Sequence, residues 1–265
     1  MSTLLNELLN ASDKEAKIYA LYLARNNDFI PSLIQYLSDE NISESLRGNI
    51  ARSLGKIGAP LAINKRLIKL YQESEKNSNT RFYVTYALAV YVLHNRYISH
   101  EGRHILLDAL SCNNKKIREI ATLSDCLPHH VENVYPLLKY LYLEYPDADE
   151  NDWANGGSLE YGLNYFKFAN EAEINKLEEI FLTANEKEII ALSIAVPSIR
   201  SKNMSTMIRK LLLKTKDKEI KIILIISLAW KPHRSSANIV LLESIKTQDL
   251  DIQKAIDYAL KSLNE

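Results

Sequence analysis

The sequence predicts an all-α fold built from a series of helical hairpins, and three observations support this. A basic residue followed seven positions later by Leu or Ile recurs along the 265-residue chain at intervals of about 34 residues. Apolar residues follow it with helical spacing. Only 7 glycines and 7 prolines leave few turn-rich segments. No segment alternates with the period of a strand, so we predict no sheet.

The basic column defines the repeats. It advances by 33, 34, 35, 71, 34 and 32 residues. Because 71 is about twice 35, one divergent repeat lies between Lys116 and Lys187. The spacing predicts about seven to eight hairpins, the last reduced to one helix. The column and its apolar partners are Lys14/Leu21, Arg47/Leu54, Arg81/Leu88, Lys116/Leu123, Lys187/Ile194, Lys221/Leu228 and Gln253/Leu260.

Each first helix is predicted to begin four residues before the basic column, where six of seven side chains can accept from a helix N-terminus. These predicted caps are Asn10, Ser43, Asn77, Cys112, Thr183, Asp217 and Asp249. Three and four residues after the basic column, apolar residues complete an i, i+3, i+4, i+7 stripe. The stripe adds Ile18, Ile50, Ala51, Val84, Ile120, Ile190, Ala191, Leu224, Ile225 and Ile256.

A second helix is predicted in each repeat, and its leucines, such as Leu67, Leu138 and Leu211, are expected to be buried. One hairpin cannot bury both of its faces, so neighbouring hairpins must stack. We therefore predict a single αα-superhelix (solenoid) over residues 1–265, with a divergent acidic insertion at about 144–186. The predicted second helices are 30–37, 62–71, 104–110, 135–142, 174–182, 207–213 and 239–245.

The turn of the second repeat has a distinctive sequence, LGKIGAPLAI at residues 54–63. Gly55 and Gly58 can end the first helix at positive φ, and Pro60 can open the next helix. This segment resembles the inter-helix turn of HEAT repeats, especially the bacterial subtype named for phycocyanobilin lyases. At fold level the resemblance covers most of the chain. It implies a solenoid that serves as a scaffold for protein–protein interaction.

The overall charge argues against several partners. Thirty-three Lys and Arg balance thirty-three Asp and Glu, so no global field attracts nucleic acid or anionic lipid. The longest apolar stretch, residues 222–230, is too short to span a bilayer. Residues 1–13 lack the positive start of a signal peptide. We expect a cytoplasmic protein without a membrane partner or a cofactor.

Charge is unevenly distributed along the chain. Residues 144–188 contain twelve acids and three lysines, a net charge of −9, whereas residues 197–234 contain ten bases and two acids, a net charge of +8. The acidic segment is also rich in aromatic residues, which anchor interfaces. We predict that it binds a basic protein; alternatively, its aromatics are core and its acids a solvated face. The predicted partner-binding residues are Asp147, Asp149, Glu150, Asp152, Trp153, Glu160 and Tyr161.

Two function classes follow from these segments. The first is a non-catalytic protein-binding scaffold; one specific form is an immunity or antitoxin-type protein that neutralises a basic enzyme such as a nuclease toxin. The second is nucleic-acid binding through the basic segment at 200–234, since the fold is similar to that of alkylpurine DNA glycosylases. The neighbouring acids argue against the second class, because they would repel phosphate.

A third class, a metal-dependent hydrolase, rests on the sequence HEGRH at residues 100–104. On a helix, H-E-x-x-H presents two imidazoles to zinc and a carboxylate as base. No sheet is predicted beside the motif, and Ser99 is predicted to cap the helix, which leaves His100 and Glu101 in the solvated first turn. We therefore expect no catalytic residue and no bound metal. If a metal were bound, His100 and His104 would be the candidate ligands.

Overall fold

The chain is helical throughout the part that the structure, a computed structural model, describes: residues 2–57, 61–76, 78–95, 98–124, 127–148, 159–201 and 203–265. These residues form sixteen α-helices, three 3-10 turns and no strand, which confirms the predicted all-α fold. None of these helices has the length and apolar character needed to cross a bilayer. The chain divides into two compact units, Met1–Pro128 (unit 1) and His129–Glu265 (unit 2).

Unit 1 arranges its helices in two rows. Its helices are α1 (Ser2–Asn10), α2 (Asp13–Ala24), α3 (Ile30–Tyr36), α4 (Glu44–Lys56), α5 (Leu61–Glu73), α6 (Asn79–Asn95), α7 (His100–Leu110) and α8 (Lys115–Thr122). The first helices α2, α4, α6 and α8 pack in that order, and the second helices α3, α5 and α7 pack against them. This alternation is the one predicted for consecutive hairpins.

Unit 2 repeats the pattern. Its helices are α9 (Val134–Glu144), α10 (Glu160–Lys167), α11 (Glu171–Thr183), α12 (Glu186–Ser198), α13 (Met204–Lys214), α14 (Lys218–Leu228), α15 (Ser236–Ser244) and α16 (Leu250–Asn264), with 3-10 turns at Val131–Asn133, Tyr145–Asp147 and Lys231–His233. The first helices α10, α12, α14 and α16 pack in series. The second helices α11, α13 and α15 pack against them, and α9 packs against α11 and α12.

Polar side chains begin the first helices that carry the basic column, although three of these caps lie two residues later than predicted; α10, in the divergent repeat, begins after Leu159. The confirmed caps are Ser43, Asp217 and Asp249. The predictions of Asn10, Cys112 and Thr183 are wrong, and Ser12, Asn114 and Asn185 take their places. Asn77 lies outside the described residues.

A glutamate three residues after the cap explains two of the shifts. Glu15 accepts from the backbone N–H of Ser12 at 3.1 Å, and Glu188 accepts from that of Asn185 at 2.9 Å. This reciprocal capping box satisfies donors that the predicted start could not satisfy.

The shifted starts change which residues are buried. Ile18 and Leu123 are 66% and 41% exposed, so both were assigned wrongly to the apolar stripe, and α2 instead buries Ala16, Ala20 and Leu23. The stripe residues buried as predicted are Ile50, Ala51, Leu54, Val84, Leu88, Ala191, Ile194, Leu224, Ile225, Leu228 and Ile256. The second-helix leucines Leu67, Leu138 and Leu211 are buried as well.

Gly55 lies inside α4, so the prediction that it ends the helix at positive φ is wrong. The residue that closes α4 is Ile57, with φ of −73°. A Cβ on Gly55 would lie 2.5 Å from the carbonyl oxygen of Ala87 and 2.7 Å from Cβ of Val90, both in α6. The glycine therefore allows two first helices to approach closely. Residues 58–60 lie outside the described residues.

A buried histidine makes the stability of unit 2 depend on pH. His233 is 1% exposed, and its Nε2 donates to the carbonyl of Pro197 at 3.1 Å. Burial lowers the pKa of His233 below its ordinary value of 6.5. The unfolded chain therefore binds a proton more readily than the folded chain, so stability falls as the pH drops below about 6.5.

We expect the parent chain to unfold at a lower urea concentration at about pH 5.5 than at about pH 7.5. These two values lie on either side of the ordinary histidine pKa. His233→Gln keeps a donor without titrating, so it should flatten this pH dependence. The control is His94→Gln, since His94 is exposed. An identical pH dependence for the parent and His233→Gln would contradict the prediction.

Candidate protein-binding surface

The predicted site residues that the structure describes lie at the two ends of the segment between α9 and α10. Asp147 closes the 3-10 turn after α9 and is exposed. Glu160 begins α10, is exposed, and accepts from the side-chain amide of Asn164 at 3.3 Å. Tyr161 is half-buried. The other four, Asp149, Glu150, Asp152 and Trp153, lie outside the described residues.

Two tyrosines attach these ends to unit 2. The ring of Tyr161 meets the ring of the buried Tyr140 edge-on at 6.0 Å. The hydroxyl of Tyr145 donates to Asp217 at 3.1 Å, and the same carboxylate caps α14. Burial, followed by the charge of Asp217, raises the pKa of Tyr145. The turn that carries Asp147 is therefore fixed to the start of α14.

The aromatic residues of α9 and of the acidic segment divide between core and surface. Tyr140, Tyr165 and Phe166 are buried, so these three belong to the repeat core. Tyr135 and Phe168 are 50% and 64% exposed. The exposed pair provides apolar contact area of the kind that protein interfaces use.

Two acids of the −9 segment are buried instead of facing solvent. Glu144 is 1% exposed and Glu173 is 0% exposed. Neither can steer a partner through a surface field, so the acidic surface is smaller than the sequence count indicates. The acids of this segment that are exposed in the described residues are Asp147, Glu160, Glu171, Glu178, Glu179 and Glu186.

The buried carboxylate of Glu173 organises a hydrogen-bonded cluster at the start of α11. Its carboxylate accepts from the hydroxyl of Tyr165, from Nδ1 of His129 at 3.1 Å and from the backbone N–H of Asn170 at 2.9 Å. The rings of His129 and Tyr165 stack at 4.3 Å. Burial, followed by the hydrogen bond to Glu173, raises the pKa of Tyr165. The phenol therefore remains a donor across the physiological pH range.

This cluster fixes the orientation of α11, and sequence reasoning missed it. The three donors converge on Glu173 from the turn before α9, from α10 and from the cap of α11. The spacing Asn170-x-x-Glu173 is a capping-box signal that could have located the carboxylate. The sequence positions of His129 and Tyr165 do not predict that these residues contact Glu173.

The exposed face of α11 combines acids with an apolar residue. Glu171, Glu178 and Glu179 are exposed, and Leu182 is 77% exposed. Glu178, Glu179 and Leu182 follow Glu171 by seven, eight and eleven residues, so all four lie on one side of the helix. Glu179 pairs with Lys176 at 2.9 Å, whereas Glu171 and Glu178 form no ion pair within the described residues. We call Glu171, Glu178, Glu179 and Leu182 the α11 face.

The H-E-x-x-H residues lie where the sequence placed them. Ser99 caps α7 by accepting from the N–H of Gly102 at 3.1 Å, which confirms the predicted helix start. His100, Glu101 and His104 are exposed, and the Nε2 atoms of the two histidines are 3.3 Å apart. This separation would allow both imidazoles to bind one ion, but α7 supplies only two of the four ligands that a structural zinc site uses.

Several bases of the segment 200–234 bond the protein itself. The guanidinium of Arg209 donates to Asn238 at 2.7 Å, and Lys214 lies 4.1 Å from the ring centroid of Phe181. The ammonium of Lys218 lies 2.7 Å from Asp251. These contacts leave fewer cations to meet phosphate than the net charge of +8 indicates.

Two comparisons with known proteins found no match. No family model matches the chain, and a search of curated proteins found none similar to it. The resemblance to HEAT repeats remains a prediction, and the functional assignment depends on the geometry of unit 2.

Proposed function

We propose that this chain is a HEAT-type solenoid that acts in the cytoplasm as a non-catalytic scaffold and binds a basic protein through the α11 face. The observation that supports this most directly is the exposure of Leu182 one turn from Glu178, which forms no ion pair within the described residues. A large apolar side chain rimmed by charge is typical of a protein-binding surface. Phe168, also exposed, lies two residues before the cap of α11, at the opposite end of the helix from Leu182, and offers a second apolar side chain.

The charge of the surface indicates the sign of the partner. Glu171 and Glu178 are held by no cation within the described residues, so their field reaches solvent. Clustered carboxylates accelerate encounter with a positive surface, and a desolvated apolar anchor slows dissociation. Neutralisation of a basic toxin by an immunity-type protein needs both effects. The predicted residues Asp147 and Glu160 are further exposed acids of the same unit.

The proposal can be tested with two variants and a matched control. The first variant reverses charge at Glu171, Glu178 and Glu179 by substitution with Lys, and the second is Leu182→Ser. The control is Leu213→Ser, because Leu213 is 71% exposed at the corresponding position of α13 but lies among bases. Each tagged chain is used to capture proteins from its own cells, with and without nuclease, and a captured protein is then purified for binding kinetics.

We expect one captured protein to depend on the α11 face. Charge reversal should lower its on-rate and remove the salt dependence, since salt screens exposed charges beyond about 10 Å. Leu182→Ser should raise the off-rate about ten-fold, whereas Leu213→Ser should bind like the parent chain. Equal binding by all variants would reject the α11 face as the site. Capture that nuclease abolishes would favour nucleic acid instead.

A further inference from the structure

One face of α2, in unit 1, is apolar and exposed. Ile18 and Tyr22 of α2 are 66% and 61% exposed. They are one turn apart, so they lie together on the helix surface. The opposite side of α2 buries Ala20 and Ala24. The exposed pair is therefore not a misplaced part of the hairpin core.

The later repeats use the equivalent positions to pack against the preceding first helix. Six and ten residues after the cap of α4, Asn49 and Ser53 are 8% and 5% exposed. Thirty-four residues further on, Tyr83 and Ala87 of α6 contact α4 directly: the Tyr83 hydroxyl donates to the carbonyl of Glu44 at 3.2 Å, and the Ala87 carbonyl lies beside Gly55.

In α2, Ile18 and Tyr22 stand six and ten residues after the cap Ser12, so they occupy the stacking positions. Polar residues occupy these positions in α4, whereas α2 has two large apolar side chains there that are exposed to solvent. A helix stacked on α2 would cover Ile18 and Tyr22, just as the packing of α4 against α2 covers Asn49 and Ser53.

We propose that a second copy of this chain covers this face, with the two α2 helices antiparallel about a two-fold axis. Glu15, Ile18, Tyr22 and Arg25 are spaced by three, four and three residues, which is the spacing of a helix–helix seam. The seam has an acid at one end, a base at the other and an apolar centre. Glu15 and Arg25 are both exposed.

An antiparallel pairing makes this seam self-complementary. With the axis beside residue 20, Ile18 faces Tyr22 of the second copy, and Glu15 faces Arg25 of the second copy. Every contact occurs twice, as a two-fold interface requires. A parallel pairing would oppose Glu15 to Glu15 and Arg25 to Arg25, so charge selects the antiparallel arrangement.

Sedimentation equilibrium of the purified full chain at several concentrations tests the proposal. The parent chain should show a monomer–dimer equilibrium, and Ile18→Lys should remain monomeric. Leu93→Lys is the control for a generally adhesive surface, because Leu93 is 55% exposed elsewhere in unit 1, on α6. It should dimerise like the parent chain.

Charge exchange tests the predicted pairing. At low salt, Arg25→Glu should weaken dimerisation by about ten-fold, because attraction becomes repulsion at both ends of the seam. Glu15→Arg should weaken it for the same reason, although it also removes the carboxylate that accepts from Ser12 at the start of α2. The double exchange should restore the parent affinity. Circular dichroism identifies any variant whose helices are lost. A parent chain that stays monomeric, a dimer that survives Ile18→Lys, or a double exchange without rescue would each overturn the proposal.

Discussion

Gly55→Ala should lower the free energy of unfolding by about 2 kcal/mol. The added Cβ would lie 2.5 Å from the carbonyl oxygen of Ala87, which belongs to the backbone of α6 and cannot rotate away, and 2.9 Å from Cγ1 of Val90. Separating the two helices would open the packing of unit 1, and overpacking of this kind costs up to about 3 kcal/mol. The helix-propensity gain from Gly to Ala returns about 1 kcal/mol.

Gly48→Ala is the matched control in the same helix. A Cβ there would meet only Cε1 of Tyr83, at the ordinary contact distance of 3.9 Å. This variant should therefore be more stable than the parent chain by about 0.5 to 1 kcal/mol. Urea denaturation followed by circular dichroism measures both. Effects of the same sign at Gly55 and Gly48 would show that propensity, not the approach of α6, decides the outcome.

Gly55 also shows what the sequence could and could not predict about the fold. Composition and the basic column were sufficient for the all-α class and for hairpins of about 34 residues. The sequence marked Gly55 as special but suggested the wrong reason, a turn. Glycine can be required either where a helix ends or where a helix lies close to its neighbour. Only the packing of α6 against α4 shows that the second reason applies to Gly55.

The helix starts failed for a different reason. Where the cap and the basic column agree, as at Asp217, the predicted start is confirmed. At Thr183 the column placed the start two residues early, because Asn185 and Glu188 form a capping box that a count from the column ignores. The capping pair of Asn185 and Glu188 determines where the helix starts, whereas the basic column marks its position only approximately.

The candidate site was predictable only as a region. Net charge located the acidic segment, but charge counts do not show burial, so Glu173 was counted with the surface acids. The cluster around it joins residues 44 and 8 positions away in the chain, His129 and Tyr165. Such contacts depend on how α10 and α11 pack, which no local spacing in one sequence reveals.

Glu173→Gln should lower the free energy of unfolding by about 3 kcal/mol. The carboxylate accepts from three donors, and it is 0% exposed. An amide has one accepting oxygen, so either the phenol of Tyr165 or the donors of His129 and Asn170 would lose the oxygen that accepts from them. Losing one partner of a buried charged network is among the more costly single changes.

Glu188→Gln provides the control, because Glu188 forms the same capping box with Asn185 but is half-buried and accepts from no tyrosine or histidine among the described residues. Glutamine also closes a capping box, so the control should change stability by less than about 0.5 kcal/mol. Combining Glu173→Gln with Tyr165→Phe removes the competing phenol donor, so the double variant should lose less than the sum of the single losses. Additive losses, or equal losses at Glu173 and Glu188, would mean that the cap alone stabilises α11. If the cluster orients α11 as the geometry indicates, Glu173→Gln should also weaken partner binding at the α11 face, although Glu173 itself is buried and touches no partner.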